Sequence, residues 1–131
     1  MSQQHPHAPS GYHSVTPRII VDDVEAVVAF LRACFDATGE VMAGRPAEVW
    51  IGDSPVLVSD TIERTAFPAL LYVYVADADA TYLRAIDAGA TSIEEPRDVP
   101  WGDRRAIFGD QFGNVFQVAH RPAPAAAREP R

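Results

Sequence analysis

Val21-Asp22-Asp23-Val24-Glu25-Ala26 returns as Val75-Ala76-Asp77-Ala78-Asp79-Ala80, with Val21 and Val75, and Asp23 and Asp77, each 54 positions apart. Each copy ends an apolar, β-prone run and begins a helical one. Val15-Thr16-Pro17-Arg18-Ile19-Ile20 precedes the first, and Ala69-Leu70-Leu71-Tyr72-Val73-Tyr74 precedes the second; both are rich in the branched and aromatic residues that suit a pleated surface. Beyond them, Phe30-Leu31-Arg32-Ala33 and Tyr82-Leu83-Arg84-Ala85 match at a spacing of 52, so the copies have drifted by two residues within or just after the helix. A unit used twice is an architecture in itself.

Working outward, the spacing predicts a strand over residues 14–21 and a helix capped by Asp23 that runs to about Cys34 or Phe35. Three shorter strands follow, over 40–43, 47–51 and 55–59, the last two joined by the Gly52-Asp53-Ser54 turn signal. Residues 60–68 are polar and link the halves. The second half predicts a strand over 69–75 and a helix capped by Asp77 that Gly89 terminates. Strands over 91–94, 104–108 and 115–120 complete it, the last two joined by the hairpin turn of Gly109-Asp110-Gln111-Phe112-Gly113-Asn114. The fold class is therefore α+β, with the order βαβββ used twice. A domain over 11–120, with module one at 11–60 and module two at 69–120, is flanked by tails at 1–10 and 121–131 expected to be mobile.

Composition narrows the functions. The 131-residue chain carries 18 acidic and 11 basic residues, a net charge of −7. With no basic stripe to meet phosphate, neither nucleic acid nor an anionic membrane is an expected partner. No apolar run reaches the ~20 residues that span a bilayer, and no secretory leader is read at the N-terminus, so the expected setting is cytoplasmic. All eleven basic residues are arginines, which excludes a lysine Schiff base or a lysine general base. The single cysteine, Cys34, falls on the apolar face of the first helix and reads as a core thiol. Nucleophile elbows, phosphate-cradling glycine loops and Cys-x-x-Cys pairs are absent.

The paired modules, the repeated Val-x-Asp junction and the late Asp-x-Phe-Gly-Asn turn resemble the vicinal oxygen chelate superfamily, which holds glyoxalase I, extradiol dioxygenases and bleomycin-binding proteins. Gly11-Tyr12-His13-Ser14, Leu71-Tyr72-Val73-Tyr74-Val75, Trp101-Gly102-Asp103-Arg104 and Ala119-His120 are similar to its PhnB-like branch. The resemblance implies two modules curled into a mixed sheet, a cleft and a homodimer. It also implies, for the metal-dependent members, four His, Glu or Gln ligands on the first, fourth, fifth and eighth strands. Carried over by the Val-x-Asp register, those positions fall on Thr16, Leu57, Leu70 and Gln117. One amide cannot hold a divalent ion, so the usual metal centre is not expected and no cofactor is implied.

An atypical divalent site remains open as an alternative, with His13 and His120 joined by Glu48 or Asp103. So does metal-free acid-base catalysis of the lyase, isomerase or dioxygenase type, in which Glu48 or His120 serves as base and Gln117 orients the substrate. The leading expectation is binding of a small organic ligand by Trp50, Tyr72, Tyr74, Trp101, Arg104, Phe116 and Gln117. Tyr72 and Tyr74 share one face of their strand, and each offers an aromatic body with a polar handle. Arg104 would meet a ligand carboxylate or phosphate, or else pair with its neighbour Asp103.

Overall fold

The computed structural model describes residues 7–122. They fall into two compact units that divide between Ala69 and Leu70. The elements are β1 (Arg18–Ile20), α1 (Val24–Phe35), β2 (Ala47–Ile51), β3 (Ser54–Ser59), β4 (Leu70–Tyr74), α2 (Ala78–Asp87), β5 (Thr91–Asp98), β6 (Arg104–Gly109) and β7 (Val115–His120). Two helices and seven strands in two mixed sheets make the expected α+β fold, without a closed barrel. Among the described residues, no helix is long and apolar enough to cross a membrane.

Both Val-x-Asp copies do the same local work. The Asp23 carboxylate accepts from the Ala26 N–H at 3.0 Å and the Asp77 carboxylate from the Ala80 N–H at 3.1 Å, each satisfying a helix donor that has no intrahelical partner. At the far end of α2, the Ala90 N–H donates to the Ala85 carbonyl and the Gly89 N–H to the Ile86 carbonyl. This is the double closure that a positive-φ residue permits, and Gly89 supplies it at φ +103.

In the first unit the sheet order is β1-β3-β2, with β1 parallel to β3 and β3 antiparallel to β2. Period-two alternation puts Ile19, Val49 and Val58 on one face, all fully buried. Helix α1 packs on β2 and β3 and contributes Val27, Val28, Leu31, Cys34 and Phe35 to the core. Each large apolar side chain so enclosed stabilises the fold by about 1.5–3 kcal/mol before conformational entropy is charged. Cys34 is a buried thiol, as its helix position predicts.

Two expectations for this unit need correction. The first strand is only three residues long, because Val15 and Thr16 lie ahead of the ladder, which opens where the Pro17 carbonyl accepts from the Leu57 N–H. The strand expected over 40–43 does not form. One bridge, Thr38 to Trp50, is all that remains of it. Gly39 lies so close to β2 that a Cβ there would sit 2.1 Å from the Glu48 carbonyl oxygen, and Gly44, at φ +78, then turns the chain away. Residues 40–43 are left exposed between these two glycines.

The second unit keeps the whole module. Its order is β4-β7-β6-β5, with β4 parallel to β7 and the other pairs antiparallel. Strand β5 runs four residues beyond expectation and passes through Pro96, which is tolerated because β5 is an edge strand and Pro96 falls in a register irregularity between Glu94 and Arg97. The predicted hairpin turn is held by Asp110. Its carboxylate accepts from the backbone N–H groups of Phe112 and Asn114 and from the Asn114 side chain, at 2.8–3.0 Å. The late Asp-x-Phe-Gly-Asn signature is thus a structural turn. The expected mobility of the tails falls largely on residues 1–6 and 123–131, outside the described range.

Candidate functional site

The register of the second sheet sorts its side chains. Tyr72 lies opposite Gln117 and Tyr74 opposite Ala119 across β4 and β7, while Gln117 lies opposite Ile107 and Ala119 opposite Arg105 across β7 and β6. Leu70, Tyr72, Tyr74, Gln117, Ile107 and Arg105 therefore share one face. Leu71, Val73, Phe116, Val118, Ala106 and Phe108 share the other, on which α2 packs. The first face stays open: Leu70 is 66% exposed, Tyr72 41% and Tyr74 60%.

At one end of this face stands a buried carboxylate. Val99, Pro100, Trp101 and Gly102 form a tight turn, closed by the Gly102 N–H on the Val99 carbonyl. Proline suits its second position, and Gly102, at φ +104, its exit. The turn leaves Trp101 outside, 57% exposed, and returns Asp103 inward, 1% exposed. Both tyrosine hydroxyls donate to Asp103 Oδ2 at 2.9 Å, and Arg121 donates to Oδ1 through Nε at 2.8 Å and Nη2 at 2.7 Å. Burial alone would raise the Asp103 pKa. The bonds from Arg121, Tyr74 and Tyr72 outweigh it and hold the carboxyl below its ordinary value. The tyrosines respond in the opposite sense: burial and the Asp103 bond raise Tyr72, and the Asp103 bond and burial raise Tyr74. Asp103 is a fixed anion and the two phenols are fixed neutral donors to it.

A second ion pair lies beside the first. Arg105 donates to both oxygens of Glu94, at 2.9 and 3.1 Å, and Arg97 reaches the same carboxylate at 3.0 Å. Arg105 and then Arg97 hold Glu94 below the usual carboxylate range against its burial. The Arg105 guanidinium lies 5.5 Å from the centre of the Trp101 ring, within range of the ring's attraction for cations.

Of the residues expected at a site, Tyr72, Tyr74, Trp101 and Gln117 come together here. Arg104 does not. It lies on the opposite side of the sheet, where it clamps Asp79 of α2 at 3.0 and 3.2 Å and reaches Asp98 at 3.4 Å; its pairing is with these two carboxylates and not with Asp103. Phe116 is fully buried against Phe108, with ring centres 5.8 Å apart, and belongs to the core. His120 Nδ1 accepts from the Ala78 N–H at 2.8 Å, at the start of α2. That lone pair is committed to a helix terminus, and the remaining nitrogen carries the proton, so this geometry gives His120 no free lone pair with which to act as a base. Sequence reasoning missed Arg105, Glu94 and Arg121, the last assigned to a tail. Alternation from Tyr74 through Ala119 would have pointed to Arg105.

Trp50 and Glu48 sit in the first unit, on the sheet face of Arg18 and Leu57. Trp50 meets Tyr12 edge to face at 5.5 Å, and Glu48 pairs with Arg45 at 3.5 Å, both side chains half exposed. The Tyr12 hydroxyl is buried without a hydrogen-bond partner. Burial, followed by the proximity of Glu48, raises its pKa, so Glu48 is close without achieving bonding geometry. The same unit holds an open cavity of about 730 Å³ beside the first turn of α1, walled by Met42 and Ile62 and rimmed by Asp22, Asp23, Glu25 and Asp60. Three of these carboxylates are already bonded: Asp23 caps α1 at the Ala26 N–H, Asp60 accepts from the Ile62 N–H, and Asp22 accepts from the Thr61 hydroxyl.

The residues at the metal positions of the resembling family do not fit a metal. Thr16, Leu57 and Leu70 offer no strong donor, which leaves Gln117 alone. His13 is an exposed residue ahead of β1. Among the described residues, no three His, Cys, Asp or Glu side chains are grouped to hold an ion.

Comparison with known proteins agrees with this fold. A family model described as the glyoxalase/bleomycin resistance protein/dioxygenase superfamily matches residues 11–118. The "Uncharacterized protein Mb0911c" of Mycobacterium bovis is 27% identical over 80% of this chain and 81% of its own length. "Putative glyoxylase CFP32" of the same organism is 34% identical over 81% of this chain but only 42% of its own length. Among solved structures, TioX from Micromonospora sp. ML1 superposes with a TM-score of 0.68 at 20% identity, covering 82% of this chain and 99% of that one. A glyoxalase/bleomycin resistance protein/dioxygenase family enzyme from Burkholderia phytofirmans gives 0.67 at 22% identity, covering 79% and 94%. With a family model spanning most of its length and a matching fold, the chain belongs to the glyoxalase/bleomycin resistance protein/dioxygenase superfamily.

Proposed function

We propose that the chain binds a small organic molecule on the open face of its second sheet, between Tyr72, Tyr74, Trp101 and Gln117, without a metal ion, and does so as a cytoplasmic homodimer. The observation that carries this reading is the pair of exposed tyrosine rings fixed by one buried carboxylate. Burying Asp103 costs several kcal/mol unless it is paired and hydrogen-bonded. Its partners here are the two tyrosines and an arginine, so the energy of that pairing is used to hold two aromatic rings at set positions on an uncovered surface. Such preorganisation lowers the entropy cost of ligand binding. Turnover has less support. A general base needs an available lone pair near the substrate, and Asp103 is saturated with donors while His120 is tied to α2.

Titration against a panel of planar compounds, followed by tryptophan fluorescence, tests the reading. A binding compound is expected to perturb the signal in the native protein and in Trp50→Phe, and to leave it unchanged in Trp101→Phe. Trp101→Ala should weaken binding by about tenfold, the worth of one good aromatic contact. Treatment with EDTA should leave the affinity as it was. Absence of binding across the panel, or binding abolished by EDTA, would overturn it.

A further inference from the structure

The open face of the second sheet carries more positive charge than its own carboxylates cancel. Resting on the ligand-binding reading above, we infer that the ligand is an aromatic acid, with its ring system against Tyr72, Tyr74 and Trp101 and its carboxylate on the terminal guanidinium nitrogens of Arg97, beside Arg105. The contacts of this face join three guanidiniums, of Arg97, Arg105 and Arg121, to two carboxylates, of Glu94 and Asp103. The surplus lies at one place. Asp103 and Arg121 form a pair of their own, whereas Glu94 alone serves both Arg105 and Arg97. Arg105 commits Nε and Nη2 to Glu94, and its side chain is 13% exposed. Arg97 commits Nε alone, its side chain is 52% exposed, and among the described residues its two terminal nitrogens have no hydrogen-bond partner. Asp98, next on β5, does not make up the difference, because it bonds to Arg104 on the helix side of the sheet.

Strand register gives this excess a direction. One row across the sheet runs Arg97, Arg105, Ala119, Tyr74, from β5 to β4, so the face is cationic on one side and aromatic on the other. Three strand spacings separate the ends, about 14 Å at the backbone, which leaves room for a bicyclic ring with a carboxylate at one end. Trp101 carries aromatic surface to the cationic side, its ring centre 5.5 Å from the Arg105 guanidinium. The phenol protons are directed at Asp103, so the tyrosines offer ring surface and leave an anion to the arginines, whose forked donors suit a planar carboxylate. Because Arg97 is half exposed, its pair with the ligand stays partly hydrated and sets a modest preference for the anion, not the whole affinity. The net charge of −7 is no guide to this face. The acidity gathers elsewhere, as around the cavity of the first unit, where Asp22, Asp23, Glu25, Asp60 and Glu63 outnumber Arg18 and Arg45.

Three probes of one shape carry the test: 2-naphthoate, 2-naphthamide and 2-naphthylmethylammonium, titrated by calorimetry at pH 7 into the full chain. Naphthoate is expected to bind about fivefold tighter than naphthamide, with the ammonium weakest. That advantage should shrink below about twofold as NaCl is raised from about 50 to about 500 mM, since an exposed charge is screened. Arg97→Gln should bring the ratio of naphthoate to naphthamide affinity to about one, and Arg97→Lys should keep most of it by keeping the charge. Arg64→Gln, which removes the same charge from the first unit, should leave the ratio at its native value. If naphthamide or the ammonium binds as tightly as naphthoate, or the ratio survives in Arg97→Gln, the inference fails; binding that still weakens in Trp101→Ala then keeps the face as a binding site. If naphthoate binds the native protein and Trp101→Ala alike, the face itself is not the site and both readings fall. No heat with any of the three also overturns the inference, and the fluorescence panel then decides the broader reading alone.

Discussion

Asp103 concentrates the chemistry of the second unit in one side chain. Its folded pKa is held down by Arg121, Tyr74 and Tyr72 despite burial, so the stabilisation it provides is complete above the ordinary aspartate value and is lost as pH falls through the lower folded value. Asp103→Asn should cost about 1.5–3 kcal/mol at pH 7, the usual range for hydrogen bonds to a charged group. The gap from the native protein in urea denaturation should close as the pH is lowered below the carboxylate range; a gap that persists would assign the cost to packing. The alkaline side offers a second reading of the same network. Tyr12, Tyr72 and Tyr74 all have raised pKa values, but only the latter two owe part of the rise to Asp103. In an absorbance titration at 295 nm, two of the four tyrosines should therefore ionise at lower pH in Asp103→Asn than in the native protein, while Tyr12 keeps its raised value. No change in any tyrosine would remove Asp103 from the account. Adjacent residues can differ completely in role: Arg104 staples the helix and Arg105 the open face. A residue type and a loop position do not decide between them, whereas the strand register does.

Helices and strands were legible in the sequence to the extent that their signals were local. The caps Asp23 and Asp77 and the glycine stop at Gly89 sit where the repeat places them, because each acts through bonds to residues within four positions. Asp77→Ala should cost about 1 kcal/mol in a denaturant titration, and an unchanged midpoint would show the cap to be redundant. Where a long-range contact decides, the sequence was silent. The apolar, extended-looking run at 40–43 fails to pair because Gly39 presses against Glu48, nine positions on. A Cβ at Gly39 meets a backbone oxygen at 2.1 Å, whereas one at Gly44 meets nothing within 4 Å. Gly39→Ala should thus cost about 2 kcal/mol or more, and Gly44→Ala only about 1 kcal/mol for its left-handed backbone. Equal costs would mean that the close approach to β2 relaxes freely. Half of the candidate site was visible by the same logic. Tyr72, Tyr74, Trp101 and Gln117 follow from strand alternation and an exposed turn, but Arg121, which pairs with the Asp103 that fixes the tyrosines, lies beyond the last strand and is recruited only by the tertiary fold.

At the scale of the molecule, the second module keeps four strands where the first keeps three, and the two have diverged in what their sheets display. Thr16 and Leu70 stand at repeat-related positions where metal-dependent relatives are expected to carry ligands, and Leu70 now opens an edge strand. Strand β4, with the sequence Leu70-Leu71-Tyr72-Val73-Tyr74, contains no charge and no proline, and among the described residues it pairs with β7 on one side only. Leu70 is 66% exposed, and the neighbouring Phe67 is 68% exposed. An apolar edge of this kind is normally blunted by charge, bent by a bulge or covered, since its free N–H and C=O groups invite pairing with another chain. Nothing within β4 blunts it. A second copy of the chain is the economical cover, because two-fold pairing satisfies both edges with one contact. Sedimentation velocity at micromolar concentration should accordingly find a dimer. Leu70→Arg places a charge on the edge at an exposed position that the core does not require, and should weaken dimerisation at least tenfold while leaving the unfolding midpoint of the separated chain within about 0.5 kcal/mol of its original stability. A native protein that sediments as a monomer, or a Leu70→Arg variant that dimerises as tightly as the native chain, would remove β4 as the interface.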